Sequence, residues 1–268
     1  MMTRRFFAVS LPAALAARRL RAETSEDRGR KLLDKLIAAL GGDVFLNMHD
    51  RTEEGRAYSF FRDQLSGLSI VHLYTQYTQQ PGPGDFPAIR ERQAFLKNQD
   101  DAVIFTQGQA FEVTFRGARP LADDRLTRYV DTTNRNIFYI VRQRIHENGM
   151  IFESPGGDVI ENQPVQVLNI TDFQNRKVTV YLHHLTFLPI LQRTHMMDPI
   201  LKERREEVTR YNKYRSVKPG VMWPFDIQRE RDGEKIFQMF SESVSVNDNL
   251  PDKLFSLPSG IKILKKDS

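Results

Sequence analysis

Between Lys213 and Gly260 the chain alternates short apolar runs with residues that only turns accommodate, and nothing else in its 268 residues constrains the fold as tightly. Asp232-Gly233 separates two extended segments, Trp223–Arg231 and Glu234–Val246. Asp-Gly supplies the positive φ angles that a tight hairpin turn requires. Pro219-Gly220 does the same at the preceding turn, so the run reads as an antiparallel meander. It closes with Asn249-Leu250-Pro251-Asp252 and Leu254-Phe255-Ser256-Leu257-Pro258, whose apolar residues are expected to plug one end of a sheet.

The same two-residue period runs through most of what precedes it. Before it begins, residues 28–40 place Leu32, Leu33, Leu36, Ile37 and Leu40 on one helical stripe, which Gly41-Gly42 stops. Strands are then expected at Arg56–Phe61, Leu68–Tyr77, Ile89–Leu96, Ala102–Thr106 and Phe111–Phe115, with Gly67 and Gln107-Gly108 among their turns. In the last of these Phe111, Val113 and Phe115 face one way, as on a sheet with one buried face. After Arg119-Pro120 the period becomes helical, through Leu126, Tyr129 and Val130 and then Ile137, Ile140, Val141 and Ile145. Asp131-Thr132-Thr133 is the expected break in this stretch, giving either one broken helix or two in succession laid across the sheet. Strands resume at Met150–Ser154, turn at Pro155-Gly156-Gly157-Asp158, and continue as Val159–Glu161, Val165–Thr171, Lys177–His184 and Leu188–Thr194. Lys202–Tyr211 alternates charges so densely that it reads as an exposed rim strand.

Charge decides which partners are excluded. The formal charge of +5 would suit nucleic acid, but five arginines sit in residues 1–22 without an acid, leaving 34 bases to 34 acids downstream. A neutral body gives no electrostatic case for nucleic-acid binding. The leader itself has a basic start, an apolar Phe6–Ala17 and small residues near Ala17 and Ala22, the pattern of an export signal over residues 1–22. Thr3-Arg4-Arg5-Phe6-Phe7 also resembles a twin-arginine leader, so the route stays open. Its apolar run is about half the roughly 20 residues of a membrane span, so a protein soluble after cleavage is expected. There is no cysteine, hence no disulfide, thiolate metal site or cysteine nucleophile.

The later motifs, taken together, carry a resemblance. Val178-Thr179-Val180-Tyr181-Leu182 leads to Thr186-Phe187-Leu188-Pro189, followed by the Tyr214 strand, Gly220-Val221-Met222-Trp223-Pro224, the Asp232-Gly233 hairpin, Val244-Ser245-Val246-Asn247 and the Leu-Pro-Asp and Leu-Phe-Ser-Leu-Pro ending. In order and content this resembles the LolA-like outer-membrane lipoprotein-sorting proteins and related periplasmic lipid carriers. The resemblance implies one domain over residues 23–268, an antiparallel α+β fold in which a sheet of about a dozen strands curls into an incomplete barrel. It implies helices over the concave face as a lid, and an apolar cavity that accepts the acyl chains of lipids or lipoproteins. A periplasmic monomer that exchanges cargo with inner- or outer-membrane donor and acceptor proteins, without cofactor or catalysis, would follow. That family usually has glycine where this chain has Phe187, and no single position here matches its cavity arginine.

The lining expected of such a cavity is Ile104, Phe111, Val113, Phe115, Val178, Val180 and Leu182 from strands, with Ile137, Ile140 and Val141 from the lid. Each buried methylene contributes about 0.8 kcal/mol, so acyl chains would bind by area alone. Core packing is the competing account of every one of these residues, which keeps a second reading open: an exported β-rich scaffold with a filled core and no ligand. His183-His184 with His195 is the one cluster that suggests a metal, but neighbours on a strand point to opposite faces and cannot share an ion. Trp223 and Tyr214 could stack on a ligand or anchor a sheet corner. Met196-Met197 could form an exposed tip or a packed turn. Asp123-Asp124 reads as helix N-terminal charge. No paired carboxylates, HExxH or nucleophile elbow marks an enzyme.

Overall fold

The computed structural model describes residues 23–83, 85–198 and 201–266. The expected leader lies outside them. Among the described residues thirteen strands form one antiparallel, curved sheet that does not close into a barrel. Its first meander is β1 (Asp50–Phe61), β2 (Gln64–Tyr77), β3 (Ile89–Phe95), β4 (Asp101–Phe105), β5 (Ala110–Thr114) and β6 (Gly117–Pro120). The second is β7 (Ile151–Ile160), β8 (Gln163–Thr171), β9 (Lys177–His183), β10 (Pro189–Met197), β11 (Arg204–Val217), β12 (Val221–Arg231) and β13 (Glu234–Val246). Pairing of β1 with β13 joins the two halves, which leaves β6 and β7 as the outer strands.

Helix α1 (Ser25–Leu40) starts with a capping box between Thr24 and Asp27 and stops at Gly41, whose φ of 124° a side chain would resist. Its leucine stripe packs on β7, β8 and β12. Contact is closest at Gly29, where an added Cβ would lie 2.3 Å from the Phe152 carbonyl oxygen. A short α2 (Asp43–Leu46) buries Phe45 against Phe138. Helix α3 (Asp123–Arg135) has Asp123 and Asp124 in its first turn, as expected of N-terminal charge. It breaks at Asn136 rather than at Asp131-Thr132-Thr133. Asn136 is extended and its side chain accepts from the amides of Phe138 and Tyr139, capping α4 (Ile137–Tyr139), which runs on as a π-helical turn, Ile140–Arg144. The Ile137 amide donates to Gln192 Oε1 at 2.9 Å, and Arg144 reaches the Asn134 carbonyl at 2.7 Å and Asp172 at 3.1 Å. These bonds fix the helical segment to the second meander.

Several local expectations change. The β1–β2 turn is Arg62-Asp63, with φ of 50° and 60°, while Gly67 lies inside β2 beside a bulge. Pro155-Gly156 is a bulge within β7, and the turn comes at Glu161-Asn162. The charged strand β11 is not a rim, since it lies between β10 and β12. Its charges are matched across the ladder, Arg210 to Glu230 at 2.8 Å and Glu207 to Arg231 at 2.7 Å, which is why so polar a strand sits inside the sheet. Met196 and Met197 belong to β10, the first buried and the second exposed. The Asp232-Gly233 turn forms as expected.

The C-terminal tail is tied down at both ends of its path. Asp50 accepts from the amides of Asp248 at 2.8 Å and Leu250 at 3.1 Å. Phe255 is buried under Arg90, and Leu257 and Ile261 then pack on Ile104, Val113 and Ala118. Finally Ala118 exchanges backbone bonds with Lys262 and Leu264, at 2.9 and 2.8 Å, which covers the β6 edge.

Candidate functional site

The two halves of the concave face are filled differently. Under α1, Leu32, Leu36, Leu40, Ile137, Ile140, Val141, Leu168, Ile170, Val178, Val180 and Leu182 form one buried cluster with Phe138 and Trp223. Under α3 there is a cavity of about 500 Å³. That volume lies in the usual range of small-molecule sites, about 300–1,000 Å³.

The strands supply the cavity floor through their odd-numbered residues. Register sets Phe105, Glu91, Thr75 and Arg51 side by side across β4, β3, β2 and β1, and Val103, Gln93, Leu73 and Glu53 in the next row. Ala57, Met239 and Ile227 continue the floor across β1, β13 and β12, with Phe237 and Arg229 one row further on. Helix α3 forms the roof with Arg125, Arg128, Tyr129, Thr132 and Thr133, and Phe138 and Tyr139 close the back. Tyr129 holds the roof in place by stacking on Phe105 at 3.6 Å between ring centres.

Polar groups are concentrated around Arg51. Its guanidinium lies 4.1 Å over the Trp223 ring, donates to Thr75 Oγ1 at 3.2 Å and stands 3.7 Å from Glu53. Glu53 is itself buried and accepts from Ser241. Glu91 faces the cavity and is half-buried among its neighbours. That burial raises its carboxyl pKa, against the Gln93 hydrogen bond and the charges of Arg51 and Arg229, which favour ionisation. Tyr139 accepts from the Ala88 amide at 2.7 Å, and burial pushes its hydroxyl up to about 12. The interior therefore combines apolar floor residues with eight charged side chains, five arginines and three glutamates. Among the described residues no three His, Asp or Glu come together as a metal group.

None of the ten residues expected as lining borders this cavity. Ile137, Ile140, Val141, Val178, Val180 and Leu182 are brought together, but in the solid core under α1. Ile104, Phe111 and Val113 share a face, but it is the reverse face of the sheet, covered by Leu257 and Ile261. Phe115 lies in the β5–β6 turn and is 87% exposed. The physical reason is that β4 is apolar on both faces, Ala102 to Phe105 being buried throughout, so alternation alone does not say which face is concave. Val103 and Phe105 take the place given to Ile104. The alternating Val71, Leu73, Thr75 and Tyr77 of β2 carried a signal for the floor, whereas Arg51 and Glu53 carried none. Trp223 is both corner anchor and cavity wall, and Tyr214 donates to the Pro189 carbonyl at 2.8 Å. The His183 and His184 rings lie 5.9 Å apart, with His183 Nδ1 accepting from the Leu185 and Thr186 amides at 3.3 Å. Phe187, where the resemblance leads one to expect glycine, does adopt a glycine-like φ of 56°.

The chain's architecture is shared with solved structures. An outer membrane lipoprotein-sorting protein domain from Vibrio parahaemolyticus superposes with a TM-score of 0.56 over 86% of this chain and 97% of that one, at 10% identity. A DUF1329 family protein from Desulfovibrio piger gives 0.56 over 85% and 97%, at 10% identity. A LolA superfamily protein from Nitrosomonas europaea gives 0.50 over 85% and 97%, at 11% identity. The fold is LolA-like. No family model matches the chain and no curated protein matches it in sequence, so the LolA-like likeness is one of architecture. Among the described residues no helix is long and apolar enough to cross a membrane.

Proposed function

We propose that this chain is an exported periplasmic carrier that shields a lipid or lipoprotein acyl chain in the cavity between α3 and the first meander. The observation that carries this reading is the cavity itself, about 500 Å³ with Val71, Leu73, Ile89, Phe95 and Met239 on its floor. Apolar area of that kind binds hydrocarbon at about 25 cal/mol per Å² removed from water, without any covalent step. Loading and release would come from movement of α3. That helix meets the sheet through side chains, so it can lift without breaking a strand ladder. The lipoprotein-sorting description of the Vibrio domain is in keeping with this role. In this reading residues 1–22 are a cleaved export signal, residues 23–268 act as one soluble monomeric domain, and membrane-bound donors and acceptors supply and receive the cargo.

Native mass spectrometry of the protein recovered from its own periplasm tests the proposal. A bound mass that organic solvent extracts is the expected result. Bare protein in repeated gentle preparations would instead favour a filled scaffold that works by protein contacts.

A further inference from the structure

Among the described residues five arginines face the cavity, and four of them are matched. Arg51 stands beside Glu53, Arg125 bonds to Glu112, Arg128 lies 3.6 Å from Asp198, and Arg231 lies 2.7 Å from Glu207. Arg229 differs. Among the described residues it has no ion pair, its Nε is buried without a hydrogen-bond partner, and its guanidinium lies 5.9 Å from the Phe237 ring. A guanidinium stays charged in any protein setting. Arg229 is half-buried at the cavity wall, and leaving its buried Nε without an acceptor is costly unless something that enters the space completes it.

The acids of the cavity do not supply that acceptor. Glu53 is engaged by Ser241 and Arg51, and Glu207 by Arg231. Glu91 accepts from Gln93 Nε2 at 2.6 Å, and its burial disfavours the charged form. Beside Arg229 the floor turns apolar at once. Ile227 is two residues along β12 on the same face, paired with Met239, and Phe237 is the direct partner of Arg229. One unpaired cation next to an apolar stripe of Ile227, Met239, Ala57, Val71 and Phe95 matches one molecule with an anionic end and a hydrocarbon remainder. At about 500 Å³ the space suits one chain with a compact head, and a diacyl lipid is larger than that.

Resting on the carrier reading, we propose that the cavity selects a single-chain amphiphile with an anionic head, carboxylate or phosphate monoester, which Arg229 binds while the chain lies on Val71, Leu73, Phe95, Ile227 and Met239. The head makes charge-assisted hydrogen bonds, and the chain supplies the remaining affinity by area.

Isothermal titration of the full protein below micellar concentrations tests this, with dodecanoate, dodecyl phosphate, dodecanol, dodecyltrimethylammonium, acetate and inorganic phosphate as probes. Both anionic dodecyl probes should bind about tenfold or more tighter than dodecanol, the scale of one hydrogen bond to a charged group. Arg229→Met should bring them down to the level of dodecanol. Equal binding of dodecanoate and dodecanol, or a preference for the cation, overturns the anionic selection while the carrier reading stands. No binding of any dodecyl probe overturns the carrier reading itself. Acetate or phosphate binding as tightly as the dodecyl anions would make this an anion site without a chain, against the proposal. Discrimination that persists in Arg229→Met removes Arg229 from the role. Should that variant fail to fold by circular dichroism, the probe series on the native chain still decides the selection.

Discussion

On the second meander, Leu168, Ile170, Val178, Val180 and Leu182 share one buried cluster with four leucines of α1, whereas α3 answers the floor of the first meander with Arg125, Arg128, Thr132 and Thr133. One sheet is thus roofed twice, once by a helix with an apolar stripe and once by a helix that touches down chiefly through Leu126, Tyr129 and Val130 along one side. The first roof closes on its floor and the second spans it. In this chain the hollow half differs from the solid one on both surfaces, since the underside of α3 is polar and Arg51, Glu53 and Glu91 interrupt the floor beneath it.

The contrast can be broken from the solid side first. Val180→Asp places a charge with no partner at a fully buried position. It should cost at least about 3–5 kcal/mol, seen as loss of cooperative urea unfolding. Next, Leu36→Ala removes a side chain with no exposure and should cost about 2–5 kcal/mol, while Leu73→Ala, which already borders a void, should cost under about 1 kcal/mol. Equal costs in chemical denaturation would mean that the two halves are packed alike. Gly29→Ala is expected to cost about 1–3 kcal/mol or more, since its Cβ would meet the backbone of Phe152 and Glu153, which cannot swing aside as a side chain can.

The smallest effect sharpens the hollow side. Glu91 has a folded pKa raised by burial, so between its unfolded value of about 4.3 and its folded value the native state holds a proton that the unfolded chain has released. Its contribution therefore falls as pH rises through that window. Glu91→Gln should flatten the decline and leave the protein slightly more stable at neutral pH, as urea midpoints from mildly acidic to neutral pH would show. Asp172 runs the other way. Burial disfavours its carboxylate, but hydrogen bonds from Arg176 and Arg144 outweigh this and hold its pKa below the ordinary range. Its stabilisation is complete above the unfolded value and is lost as pH falls through the folded one.

Strand content, helix α1, the Asp232-Gly233 hairpin and the order of elements were legible because each rests on local chemistry, an apolar period or a turn residue. What the sequence did not disclose was facing. Ile104 and Val103 are both buried, one under the tail and one toward the cavity, and no local pattern separates them. Strand β11 misleads in the opposite direction, since Glu207 and Arg210 look like solvent charges until β12 supplies Arg231 and Glu230. Arg229 was invisible for a similar reason. Its significance lies in a partner it lacks, and that shows only once the neighbouring strands are in place.

The tail that leaves β13 has a mechanical consequence. Held by Asp50 in the middle of the sheet and by Ala118 at its outer strand, it spans the back of the hollow half like the string of a bow. Phe255, Leu257 and Ile261 brace β3 to β6, and with them the cavity on the other side, from a face that does not border it.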